Sequence, residues 1–224
     1  MPRRRTWFIT GGVVAVVAAG VVAGPLVYAA LEDDAPPAAR VQAQPEDAVL
    51  STATDGTWTV ADGSTAGYRV HEVLNGADVA VAGTTGKVTG QVVITGGDLS
   101  SATVTVDVAS IATDKAQRDS YFRDNVMHVE QNPTATFTVD QPADVPELSG
   151  TPVTVPVTGA LTLAGKTQQV TTDLSVVRTG TGVDLSGSIP VTFGDYGIKA
   201  PSLGFVKVDD QGAVEFLLHL VQQP

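Results

Sequence analysis

The stretch 153–163, VTVPVTGALTL, constrains the fold more than any other part of the chain. Val153, Val155, Val157, Leu161 and Leu163 fall on one side of an extended backbone, with Gly159 among them. Thr154, Thr158 and Thr162 fall on the other. A period of 2 marks a strand with one buried and one wet face, as in an antiparallel sheet. At about 3.3 Å per residue this strand reaches about 36 Å. The pattern recurs in Val104, Val106 and Val108, in Leu185, Ile189, Val191 and Phe193, and in Val214, Phe216, Leu218 and Leu220. Shorter candidates are 57–61, 66–74, 87–95, 134–140 and 168–177, which makes roughly nine strands. Turn signals separate them at Gly96-Gly97-Asp98, Gly165-Lys166, 179–182 and Asp209–Gly212. Strands this long suit a closed barrel better than an immunoglobulin-type sandwich.

Composition bears on what the barrel holds. Hydrophobic residues are 43% of the 224, yet aromatics are only 5%. The inner face is therefore built from Val, Leu and Ile, and side chains of that size can leave a lumen unfilled. Alternation alone does not separate a hollow barrel from a packed one, so a filled structural or adhesive β-domain stays open. The absence of Cys removes disulfides and thiolate chemistry. A net charge of −11 argues against nucleic acid, which needs a basic surface.

Arg3, Arg4 and Arg5 precede a run without charge from Thr6 to Leu31, and Glu32, Asp33 and Asp34 follow. About 20 apolar residues span a bilayer. Residues 1–31 therefore read as a single transmembrane helix with its arginine end in the cytoplasm and the remaining chain outside. The competing reading is a signal peptide cleaved after Ala29, which would release the domain. Residues 32–56, rich in Pro, Ala, Gln and acids, read as a disordered linker. The domain then occupies 57–224.

One segment breaks the alternation: RDSYFRDNVMHVEQNPTATFTV, from Arg118 to Val139. A short helix is expected at 113–124, capped by Thr113 or Asp114 and covering one barrel end. Its Tyr121, Phe122, Val126 and Met127 would form an apolar plug that can open. The wider block VDVASIATDKAQRDSYFRDNVMHVEQNPTATFTV resembles the signature segment of the YceI-like family of bacterial envelope domains. VTGALTLAGKTQQVTTDL and FGDYGIKAPSLGFVKVDDQGAVEFLLHL resemble two further blocks of that family, the last as found in its actinobacterial-type branch. The resemblance spans residues 57–222 in order. It departs from the family at Tyr121, where many members carry His, and at Val126-Met127, where many carry paired Phe.

The resemblance implies a lipocalin-like antiparallel barrel with an apolar tunnel for the tail of a lipid or isoprenoid ligand, a non-enzymatic role and no cofactor. On the inward face, the expected lining is Val104, Val106, Val108, Phe137, Val155, Val157, Leu161, Leu174, Val176, Leu185, Ile189, Val191, Phe193, Phe216 and Leu218. Tyr121, Phe122, Met127 and Tyr196 are expected at the opening, with Lys199 and Arg69 as possible counter-charges for a phosphate. An envelope hydrolase is the weakest alternative. No G-x-S-x-G elbow is present, and His71, His128 and His219 are the only histidines. His128 and Glu130 alone fall short of a metal site.

Overall fold

The structure is a computed structural model that describes residues 34–52, 55–74, 77–139, 141–203 and 206–223. The transmembrane reading of residues 1–31 lies outside them. Among the described residues no helix is long and apolar enough to cross a membrane.

The described residues form eleven strands, all paired antiparallel. They are β1 (Gly56–Val60), β2 (Thr65–Leu74), β3 (Ala77–Thr85), β4 (Val88–Thr95), β5 (Asp98–Asp107), β6 (Thr134–Val139), β7 (Val153–Leu163), β8 (Lys166–Arg178), β9 (Val183–Thr192), β10 (Ser202–Leu203) and β11 (Val206–Gln222). β1 and β2 follow one line along β11, interrupted at 61–64. There the Ser64 hydroxyl donates to Ala61 O at 2.7 Å and accepts from His219 N at 2.9 Å. β3 and β4 form the neighbouring broken line, since β3 pairs β2 and β4 pairs β1. With β5 to β9 and β11 this makes eight lines, and the β1–β11 pairing closes the ring. The expected all-β antiparallel barrel with a short helix is the observed architecture.

Three local expectations change. β3 was not expected as a strand. Its inward Val79 and Val81 alternate with Ala80 and Ala82, so the polar half of the pattern is missing. Asp209–Gly212 is not a turn between strands. It is the irregularity at which β11 shifts register against β2, between Val208 and Gly212, so the strand continues for 17 residues. The helix, α1, starts at Ala116 rather than Thr113. Thr113 Oγ1 instead accepts from Lys115 N at 3.1 Å and forms a turn ahead of it. α1 ends at Tyr121 and passes into a wider π-helical turn, Phe122–Met127. His128 closes that turn in the left-handed region, at φ 49° and ψ 57°.

Side chains fill the barrel unevenly. At the end where β1 meets β4, Trp58, Leu99, Val139, Val155, Val157, Leu174, Val176, Leu185 and Leu220 pack into one buried cluster. Toward the other end Val108, Ile111, Met127, Leu161, Leu163, Ile189, Val191 and Tyr196 form a second cluster around open space. Residues 34–52 contain no helix or strand but lie along the outer wall. Ala35 N donates to Ala80 O at 2.9 Å, Val41 N to Ser186 Oγ at 3.2 Å, and Ser51 N to Thr179 O at 2.8 Å.

Candidate functional site: an apolar cavity beneath a helical lid

The hollow half encloses a cavity of about 200 Å³. Its wall is assembled from every second residue of the strands: Val70 of β2, Val104 and Val106 of β5, Phe137 of β6, Leu161 and Leu163 of β7, Ile189 and Val191 of β9, and Val214, Phe216 and Leu218 of β11. Val108, just past β5, and Phe193, just past β9, complete it. The helical crossing between β5 and β6 lies over it with Tyr121, Phe122, Val126 and Met127. The few rings stay against the wall because a glycine sits beneath them. A Cβ on Gly187 would lie 2.5 Å from Phe216 Cζ, and one on Gly159 would lie 2.8 Å from Phe137 Cζ. Both are closer than real Cβ contacts allow, so glycine permits rings that would otherwise cross the lumen to lie flat.

Of the expected lining, Val104, Val106, Val108, Phe137, Leu161, Ile189, Val191, Phe193, Phe216 and Leu218 are on the cavity wall, as are Tyr121, Phe122 and Met127 of the expected opening. Val155, Val157, Leu174, Val176 and Leu185 point inward but belong to the packed half, where they meet one another and leave no cavity. Tyr196 is not at the rim. It is 3% exposed and its hydroxyl has no hydrogen-bond partner among the described residues. Burial, then Asp195, raises its pKa above the ordinary phenol value. Arg69 is on the outer wall, 2.9 Å from Glu215 and 2.7 Å from Pro36 O, so it does not serve the cavity.

Sequence reasoning missed the polar corner of the wall. Glu72 of β2 is 6% exposed and lines the cavity with Arg118 of α1. Arg118 Nη2 lies 3.6 Å from Glu72 Oε1, and Nη1 lies 2.7 Å from Asp114 Oδ1. Asp119 is 8% exposed and accepts from both Thr113 N and Thr113 Oγ1 at 2.8 Å. These bonds fix the start of α1 over the mouth. Tyr68 stacks on Phe122 with centroids 4.7 Å apart and planes at 25°. Burial is the main cause that pushes its pKa up to about 12, opposed by Arg118 and assisted by Asp119, Glu72 and Asp114. Only one signal for Glu72 was present in the sequence. It shares its inward parity with Tyr68 and Val70, where a carboxylate is out of place.

The arrangement suits retention of an apolar chain. The three histidines are not on the cavity wall. His219 Nδ1 is 2.8 Å from Asp184 Oδ1, and Asp184 belongs to the outward set of β9.

Comparisons with known proteins give the same architecture. The structure of Burkholderia cenocepacia BcnA aligns with a TM-score of 0.57 at 23% identity, covering 69% of this chain and 94% of that one. A polyisoprenoid binding domain from Saccharophagus degradans, implicated in plant cell wall breakdown, aligns with a TM-score of 0.60 at 19% identity, covering 76% of this chain and 100% of that one. At these identities the likeness is one of fold. No curated protein matches the chain. The family model for the YceI-like domain matches residues 58–220, most of the chain, and the protein belongs to the YceI-like domain family.

Proposed function

We propose that this protein binds the tail of an isoprenoid-like lipid in the hollow half of its barrel, outside the cytoplasm, as a carrier or store rather than as an enzyme. The observation that carries the reading is the cavity itself, closed over by Tyr121, Phe122, Val126 and Met127 and apolar except at the Glu72–Arg118 corner. Family membership supports it, as does the fold shared with a polyisoprenoid binding domain. The three arginines followed by the charge-free run 6–31, read as an export segment, support the extracytoplasmic reading, whether the segment is retained or cleaved after Ala29.

Size refines the proposal. A 200 Å³ cavity has the volume of about seven waters at about 30 Å³ each. A tail segment of similar carbon count, at about 0.8 kcal/mol per methylene, gains about 5–6 kcal/mol before association costs. A longer isoprenoid needs the π-helical turn to lift, or leaves its remainder outside the mouth. Mass spectrometry of an organic extract from protein purified out of its native host tests the reading. A tightly held isoprenoid is the expected result. Apoprotein alone, together with no uptake of isoprenoid from detergent micelles, would leave a structural β-domain as the better account.

A further inference from the structure

The segment 32–56 has the composition of a free spacer, and 25 such residues would have an end-to-end distance of about 28 Å. The contacts along 34–52 remove that slack. Asp34 Oδ1 accepts from Ala80 N at 2.8 Å and Ala35 N donates to Ala80 O at 2.9 Å, so the chain is fixed to the free edge of β3. The Pro36 carbonyl is held by Arg69 at 2.7 Å. The strap then crosses to β9, where Val41 N meets Ser186 Oγ, and on to Thr179 beside the packed end.

The height of the first contact decides the geometry. Ala80 pairs with His71, between Val70 and Glu72, and Glu72 pairs with Val208. Val70, Glu72 and Val208 all line the cavity at its open end. Only two residues, Glu32 and Asp33, separate Leu31, the last of the charge-free run, from Asp34, so three residue steps join them. These steps reach at most about 10 Å.

We propose that the open end of the barrel docks on the membrane from which residues 6–31 emerge, so that lipid passes between bilayer and cavity without crossing water. This rests on the lipid-tail reading and on retention of residues 6–31 as an anchor. Two surface features agree with it. Tyr121, Phe122, Val126, Ile198 and Pro201 form a half-buried apolar rim around the mouth, the chemistry that fits a bilayer interface. Lys115, Arg118, Arg123, Lys166, Lys199 and Lys207 surround that rim and nearly balance its carboxylates, Glu72, Asp114, Asp119, Asp124, Asp195, Asp209 and Asp210. The packed end carries Asp55, Asp62, Asp98, Asp144, Glu147 and Asp184 beside the buried Arg178. An anionic bilayer repels that end more strongly.

The test uses the full chain in liposomes of phosphatidylcholine and phosphatidylglycerol doped with a nickel-chelating lipid. The chain has no Cys, so Lys199→Cys at the mouth and Thr181→Cys at the packed end each take a single spin label. Headgroup nickel should relax the label at 199 several-fold more than the label at 181. Inserting a Gly-Ser segment of about twenty residues between Asp33 and Asp34 restores a free tether. It should bring the two labels toward parity and slow isoprenoid uptake from vesicles several-fold, leaving uptake from micelles unchanged. Equal relaxation in the unaltered chain, stronger relaxation at 181, an insertion without effect, or a mature protein lacking residues 1–29 would each overturn the proposal. Absence of uptake from micelles with the orientation intact is the separate failure of the lipid reading.

Discussion

Replacing Ala135 by Phe should stabilise the empty protein and weaken its hold on lipid at the same time. Ala135 pairs with Val106 across β5 and β6, two residues before Phe137, and lines the cavity with both. A cavity of about 150 Å³ accepts a benzene ring, so a phenyl group here takes most of the 200 Å³ available. Burying that ring contributes about 1.5–3 kcal/mol to folding. If it displaces only about three tail carbons, binding loses about 2.4 kcal/mol, or about 50-fold in Kd. Urea unfolding of delipidated protein reads the first quantity, and titration with a fluorescent isoprenoid analogue reads the second. Unchanged affinity in a stabilised variant would place the ligand elsewhere. A destabilised variant would show that the space is not free to receive a ring.

Other perturbations read separate parts of the structure. His128 holds a positive φ of 49°, so His128→Gly should raise stability by about 1 kcal/mol, seen as a higher urea midpoint. Val157 is 1% exposed in the packed half. Val157→Arg buries an unpaired charge and should cost more than about 4 kcal/mol, with loss of folded protein by circular dichroism rather than selective loss of lipid. Tyr68 keeps its proton to about pH 12 in the folded protein but ionises near its ordinary value of 10 when unfolded. Between those values the native state binds the extra proton, so this group's contribution is complete below pH 10 and is lost as pH rises toward 12. Ultraviolet titration should show a phenol ionising near pH 12 that Tyr68→Phe removes, leaving the raised Tyr196 in place.

Much of the site could be read from the strands. The parity that put Val104, Val106, Leu161, Ile189, Val191 and Phe216 inward is the parity observed. The break in alternation at Arg118–Met127 is the segment that covers the mouth. Where the reading stopped short, the signal was local and the outcome was not. Val155 and Val191 have the same neighbours in pattern, yet one is packed and the other faces the cavity. Alternation reports which side of a strand a residue occupies and is silent on its height along the barrel axis. Glu72 was hidden because its partner Arg118 arrives from α1, across a chain separation of 46 residues (118 − 72). The strap was hidden because its hydrogen bonds run mainly through its own backbone, to Arg69, Ala80, Thr179 and Ser186 far along the chain, and composition does not distinguish such groups from a spacer's.

The sequence by itself determined that the chain forms long antiparallel strands with an aliphatic inner face, that these close into a barrel, and that the barrel is YceI-like, because a two-residue period and short motifs are properties of neighbouring residues. Only the tertiary structure decided that one half is solid and the other open, and that residues 34–52 bind the outer wall. A void is a sum over side-chain volumes that meet across the lumen from eight different lines of chain, and no single segment carries that sum.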